Sequence, residues 1–244
     1  MRKMFMDQIN SRLTSLRLSG MSQCWKTLSE THKLNELSLA DGMEMLLQSE
    51  EDQRSANRYA RLLKNANFRY KASVEELNVE ASRGIDRSLI NRLAMGNYIT
   101  NGEAILVTGS AGCGKSFLAS ALGYRACLQG HTVAYFNMQK LMMKLKMARL
   151  EGTIIKQFDK LASTDLLILD DFGLTSLEYQ QQLDFLEIIE DRHARKSTII
   201  ASQFPVAEWF EIIGQETIAD AILDRIVHTS HRIELKGESL RKKQ

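Results

Sequence analysis

The chain has 244 residues, of which 44% are hydrophobic and 25% charged. Those proportions support an ordinary core and exclude wholesale disorder, and the length fits one large unit or a domain with an appendage. Lysine and arginine number 32 against 30 acidic residues, a formal charge of +2, which lacks the domain-wide basic excess of many nucleic-acid binders. A single proline, Pro205, excludes Pro-rich linkers and permits uninterrupted helices. Cys24, Cys113 and Cys127 form no C-x-x-C pair, as expected in a reducing compartment. The charged start (Arg2, Lys3, Asp7) lacks the apolar stretch of a signal peptide, and no apolar run approaches a membrane span of roughly 18 residues. The expectation is a cytoplasmic protein without membrane association.

In chain order, the first part shows helical spacing and almost no strand signal. Leu13, Leu16, Leu28, Leu34, Leu37, Leu39, Met43, Leu46 and Leu47 carry it, and Gly20, Asp41-Gly42 and Gly84 are expected breaks between short helices. Beyond residue 100 the pattern alternates. Strands are predicted at 104–108, 132–136, 165–170, 197–202 and 231–235, with a helix from Lys115 to about Leu128 and helix-length segments between the others. Short aliphatic strands alternating with helices predict βαβ units and a mostly parallel sheet covered on both faces. The expected organisation is a helical N-terminal domain over residues 1–84 and an α/β domain over 85–244.

Gly109-Ser110-Ala111-Gly112-Cys113-Gly114-Lys115-Ser116 matches G-x-x-x-x-G-K-[ST], set between a predicted strand and a predicted helix. Glycines let the backbone wrap phosphate oxygens, and the helix N-terminus adds free N–H donors and a favourable dipole. Lys115 is expected to reach the β- and γ-phosphates, Ser116 to ligate Mg²⁺, and Phe117 to continue the nucleotide contact. Leu166-Leu-Ile-Leu169-Asp170-Asp171 is an apolar strand ending in two acids. The carboxyl ends of parallel strands line the ligand crevice. Asp170 is therefore expected beside the Mg²⁺ and Asp171 where it orients or activates the attacking water. Asp171-Phe172-Gly173 also spells a protein-kinase motif, but no H-R-D loop accompanies it, and Phe117 stands where G-x-G-x-x-G would need glycine.

With these motifs the chain resembles an IstB-like AAA+ ATPase, the helper protein of a class of bacterial insertion sequences and a relative of DnaC-type helicase loaders. Gly109–Ser116, Leu166–Gly173, Ile199–Trp209 and Asp220–His228 carry the resemblance. It implies an α/β P-loop NTPase of the initiator and DnaC-like branch of AAA+ proteins, with a parallel five-stranded sheet, a small all-helical N-terminal domain, and no full C-terminal lid. It places Gln203 at the polar sensor position after the fourth strand and Arg225 at the arginine finger that reaches a neighbouring subunit. Arg241 falls at a sensor-like tail position. The chain departs from the usual Asp-Glu pair in carrying Asp170-Asp171.

Between Gln53 and Val74 there are six basic residues and no acidic one. The spacing of Arg54, Arg58 and Arg61 sets them on one helical face, with Tyr59, Phe68 and Tyr70 interleaved, so the stretch reads either as phosphate-contacting or as a solvated face with core aromatics. Lys140, Lys144 and Lys146 follow the second strand, where the resemblance implies a helix facing nucleic acid; the methionines among them are expected to pack. His228 and His231 lack a third ligand for a metal. The resulting expectation is an ATP- and Mg²⁺-dependent helper of transposition, assembled through ATP-bridged subunit interfaces on duplex DNA, with the element's transposase as partner. The rivals are a helicase loader and a P-loop kinase acting on a small molecule.

Overall fold

The computed structural model describes residues 2–77 and 84–237. The chain divides into two compact units, Met1–Arg61 and Leu62–Gln244. Beyond the division, Leu62, Ala66 and Ala72 are buried and Phe68 packs against Tyr124 and Tyr135 of the second unit.

The first unit holds α1 (Arg2–Ser15), α2 (Ser19–Glu30) and most of α3 (Leu39–Ala66). Two of the expected breaks lie inside helices. Asp41-Gly42 belongs to the first turn of α3, where Ser38 Oγ accepts from the Asp41 N–H at 3.2 Å and donates to Asp41 Oδ2 at 2.6 Å. Ser38 thus caps the helix and Asp41 strengthens its start. Gly20 lies in the first turn of α2, where an added Cβ would meet Ser49 O at 2.3 Å. It is a close-packing residue. The absent side chain lets the buried Glu50 Oε2 accept from the Gly20 and Met21 N–H groups at 2.7 and 3.2 Å.

The second unit is built on a five-stranded sheet in the order β2-β3-β4-β1-β5, every pairing parallel. Its strands are β1 (Ala104–Gly109), β2 (Val133–Asn137), β3 (Leu166–Phe172), β4 (Ser197–Ser202) and β5 (Ser230–Leu235). The sequence expectations hold to within a residue or two at each strand end. Helices α4 (Arg87–Ala94) and α5 (Asn97–Thr100) precede β1, and α6 (Lys115–Leu128), α7 (Met138–Leu150), α8 (Ile154–Ser163), α9 (Tyr179–Arg192), α10 (Trp209–Ile213) and α11 (Glu216–Val227) intervene between the strands.

Leu106, Leu167, Leu169 and Ile200 share one core with Met138, Leu141, Leu145, Phe185, Trp209 and Ile222 from the helices of one face. Ile168, one step along β3, points instead at α6, where its Cδ1 lies 2.7 Å from the Cβ position of Gly123. Burial on both faces explains why the strands read as continuous aliphatic runs.

At the amino ends of the strands, Arg192 is buried and donates to Thr198 Oγ1 at 3.0 Å, Thr164 O at 2.7 Å, Leu161 O and Ser197 O. Beside it, Asp165 pairs with Lys196 at 2.6 Å and accepts from the Thr132 N–H and Oγ1 at 2.9 and 2.8 Å. The opposite edge, where β1, β3 and β4 end, is left for ligand chemistry.

Candidate nucleotide site

β1 delivers the chain to the Gly109–Ser116 loop and α6 begins at Lys115. Gly114 stands at the N-cap with φ +107°, a backbone conformation that a residue with a Cβ adopts only under strain. Lys115 is buried, and its Nζ donates to Gly109 O at 2.7 Å and Ser110 O at 2.8 Å. The loop and the free N–H groups of α6 form a cradle for phosphate.

β3 brings the two acids. Regular pleating would point Asp170 and Asp171 to opposite faces of the sheet. Instead Leu169 pairs with Ile200 and Phe172 with Ser202, so β3 carries one extra residue against β4. Asp171 takes up the bulge with φ +59°, a left-handed conformation that aspartate tolerates better than most residues. Both carboxylates therefore face the same crevice. Ser116 Oγ donates to Asp170 Oδ1 at 3.0 Å, and the Tyr135 hydroxyl donates to Asp170 Oδ2. Burial, reinforced by that bond to Asp170, pushes the Tyr135 phenol upward and keeps it a donor. Asn137 Nδ2 donates to Asp171 Oδ2 at 2.9 Å.

The phosphate loop, Ser116 and Asp171 open onto a cavity of about 640 Å³ that also includes Phe117, Leu118, Gln203, Arg69, Tyr70, Ile85 and Leu235 in its lining. Its size suits a nucleotide-sized ligand, with an apolar end and a polar, phosphate-binding end. A wider groove of about 820 Å³ runs along α11 past Asp220, Asp224 and His228, far from the phosphate cradle. The hydroxyl of Ser116 and the carboxylate of Asp170 are hard oxygen donors. Mg²⁺ is held in such sites by one or two protein oxygens, with phosphates and water completing the octahedron, so this donor pair fits it.

The structure thus brings Gly109–Phe117, Asp170, Asp171 and Gln203 together. It does not bring Arg225 to them. Arg225 on α11 donates to Ala221 O at 2.8 Å and pairs with Glu190 at 2.8 Å, and it lines a small recess with Ala104 and Thr198 at the amino ends of the strands. Arg241 lies outside the described residues. Three site residues escaped sequence reasoning. Tyr135 and Asn137 become visible only when β2 is paired beside β3. Arg69 sits inside the basic run but, beyond the end of α3, leaves its helical face for the cavity.

The family model for IstB-like ATP binding proteins matches residues 11–244. The chain belongs to the IstB-like ATP-binding protein family. It is 42% identical to an insertion sequence ATP-binding protein of Sinorhizobium fredii over 96% of this chain and 95% of that one. It is 30% identical to the insertion sequence IS21 ATP-binding protein of Pseudomonas aeruginosa, over 98% and 90% respectively. Among solved structures, the DnaC helicase loader superposes with a TM-score of 0.54 at 23% identity, over 68% of this chain and 97% of that one. The replication initiator DnaA bound to AMPPCP and single-stranded DNA superposes with a TM-score of 0.57 at 21% identity, over 70% and 52%. These likenesses carry the fold, a P-loop AAA+ domain, and this IstB-like chain shares it through the sheet and the phosphate loop.

The expected nucleic-acid residues of this IstB-like chain are all exposed. Arg54 is engaged with Glu50 at 2.8 Å. That hydrogen bond, against the opposing pull of burial and with help from the Met21 and Gly20 N–H groups, holds the Glu50 carboxyl below its usual range. Arg58 and Arg61 follow on the exposed face of α3. On α7, Lys146 lies 3.9 Å from Glu178 and Lys144 sits over the Phe136 ring. The methionines of α7 divide: Met138 and Met142 are buried as expected, whereas Met143 and Met147 are exposed between the lysines.

Proposed function

We propose that this IstB-like protein is a Mg²⁺-dependent ATPase that assembles on duplex DNA and regulates or recruits the transposase of its insertion sequence. The observation that carries the chemistry is the convergence of the phosphate loop, Ser116 and Asp171 on one cavity, with Asp170 hydrogen-bonded to Ser116 beneath it. Support for the biological setting comes from relatives whose names place them in insertion sequences.

In this reading Gly109–Phe117 hold the phosphates, and Lys115 exchanges its loop carbonyls for β- and γ-phosphate oxygens. Ser116 and Asp170 hold the divalent cation, which when bound offsets charge on the phosphates. Asp171, aimed by Asn137, accepts a proton from the attacking water, and Gln203 contacts that water or the γ-phosphate. Arg225, on the far side of its own sheet, serves the site of a neighbouring copy, where a guanidinium stabilises developing charge. Arg241 is assigned to the nucleotide as well. Within the N-terminal region up to residue 84, the helical unit Met1–Arg61 serves DNA or the transposase, with Arg54, Arg58 and Arg61 on α3 and Lys140, Lys144 and Lys146 on α7 as phosphate contacts.

The test is ATPase rate and particle size with and without duplex DNA. Duplex DNA with ATP is expected to raise both. Lys115→Ala should abolish nucleotide binding, and Arg225→Ala should keep binding while losing hydrolysis and assembly. Stable capture of a replicative helicase with no response to duplex DNA would replace this reading with that of a loader. Phosphoryl transfer to a metabolite without DNA would replace it with that of a kinase.

A further inference from the structure

Arg69 is unexplained by the reading above. α3 ends at Ala66, Asn67 turns the chain with φ +56°, and Phe68 is fixed between Tyr124 and Tyr135, its ring centroid 6.4 and 6.3 Å from theirs. The backbone of Arg69 is thereby anchored at the cavity wall, while its side chain remains 43% exposed. Its Nη1 lies 3.1 Å from Asp171 Oδ2 and 3.6 Å from Asp170 Oδ2, and its guanidinium carbon lies 5.4 Å from the centre of the Tyr70 ring.

Arg69 Nη1 donates a hydrogen bond to Asp171 Oδ2, but each carboxylate has neutral donors as well. Asp170 already accepts from Ser116 and Tyr135, and Asp171 from Asn137. What Arg69 adds is positive charge beside Asp170, which is 1% exposed, and that is also what a divalent cation on Ser116 and Asp170 adds. Two cations serving one carboxylate pair repel each other, so they compete. Arg69 also shares its cavity with Lys115 and Ser116, the residues placed to meet a terminal phosphate. A guanidinium on a long, partly exposed stem can turn from carboxylate to phosphate, since it pairs with both in the same forked geometry.

We propose that Arg69 is a nucleotide-sensing residue acting within its own subunit: it competes with the divalent cation for Asp170 and Asp171, and pairs with the terminal phosphate when ATP is bound. This rests on the nucleotide site described above. ADP offers no terminal phosphate, so with ADP Arg69 stays on the carboxylates and opposes the cation. With ATP it leaves them and the opposition ends. The residue thus favours ATP over ADP, and does so only with the cation present.

The experiment measures equilibrium binding of ADP and of a slowly hydrolysed ATP analogue to the full chain across a Mg²⁺ titration. In Arg69→Ala, the Mg²⁺ concentration for half-maximal ADP binding is expected to fall about fivefold, and the preference for the analogue over ADP to fall about fivefold. Arg69→Gln, which keeps a polar stem and removes only the charge, should give the same two shifts, and Arg69→Lys should retain most of both parental values. An unchanged Mg²⁺ midpoint overturns the competition. A lowered midpoint with unchanged preference overturns the pairing with the terminal phosphate. If the parental chain binds neither nucleotide, the reading of the site itself fails before any question about Arg69 arises.

Discussion

At the scale of the residue, Asp171 shows how far one dihedral angle can decide chemistry. The bulge in β3 and a left-handed φ of +59° turn a carboxylate that pleating would hide into one that faces the phosphate loop. Asparagine tolerates that conformation about as well as aspartate, whereas alanine costs roughly 1 kcal/mol more there. Asp171→Asn should therefore keep the melting temperature while hydrolysis at saturating nucleotide and Mg²⁺ falls about 100-fold, the usual worth of a positioned base. Asp171→Ala should lose the same activity and melt lower as well. Single-turnover hydrolysis alongside thermal melting separates the two, and a parental rate in Asp171→Asn would remove the residue from the chemistry. The phosphate loop and both acids were legible in the sequence because motif spacing is local. The facing direction of Asp171 was not, because a bulge is a property of two strands. Arg69 was legible only as one of six basic residues between Gln53 and Val74, because a count of charges does not reveal that the helix stops at Ala66 and that the chain then turns into the cavity wall.

At the scale of the element, the strands were legible because burial on both faces leaves unbroken aliphatic runs. The helical N-terminal part was less so, since Gly20 and Gly42 signal breaks by composition while serving inside helices. Thr132, Asp165 and Lys196, beside the amino ends of β2, β3 and β4, were invisible as a group because they meet only across the sheet. Burial pushes the Asp165 carboxyl up, but the bonds from Lys196 and Thr132 outweigh it and hold the pKa at about 2. A carboxyl depressed on folding stabilises the native state above its unfolded pKa of about 4, and that contribution is lost as the pH falls through the folded value. Solvent screening of this partly exposed pair leaves about 1 kcal/mol. Asp165→Asn should thus lower stability by that amount at pH 7, and the gap should narrow between about pH 4 and pH 2. Urea unfolding of parent and variant along that pH series measures it, and a gap independent of pH would show that packing, not charge, holds these strand ends.

At the scale of the whole molecule, a formal charge of +2 conceals local excess. The exposed side of α7 carries Lys140 and Lys144 about the apolar Met143 and Met147, while Lys146 faces Glu178. Each phosphate neutralised contributes about 0.9 to the slope of log affinity against log salt. Replacing Lys140 and Lys144 by glutamine should weaken duplex binding and reduce that slope by about 2 per protomer, and an unaltered slope would remove α7 from the DNA surface. The strand order has a further consequence, for synthesis. β1 pairs only with β4 and β5, strands that begin at Ser197 and Ser230. A nascent chain that has already exposed the phosphate loop therefore lacks any neighbour for the strand that holds it until most of the protein has left the ribosome. Nucleotide affinity must then emerge late and abruptly during translation, and an aliphatic strand edge must be shielded until it does.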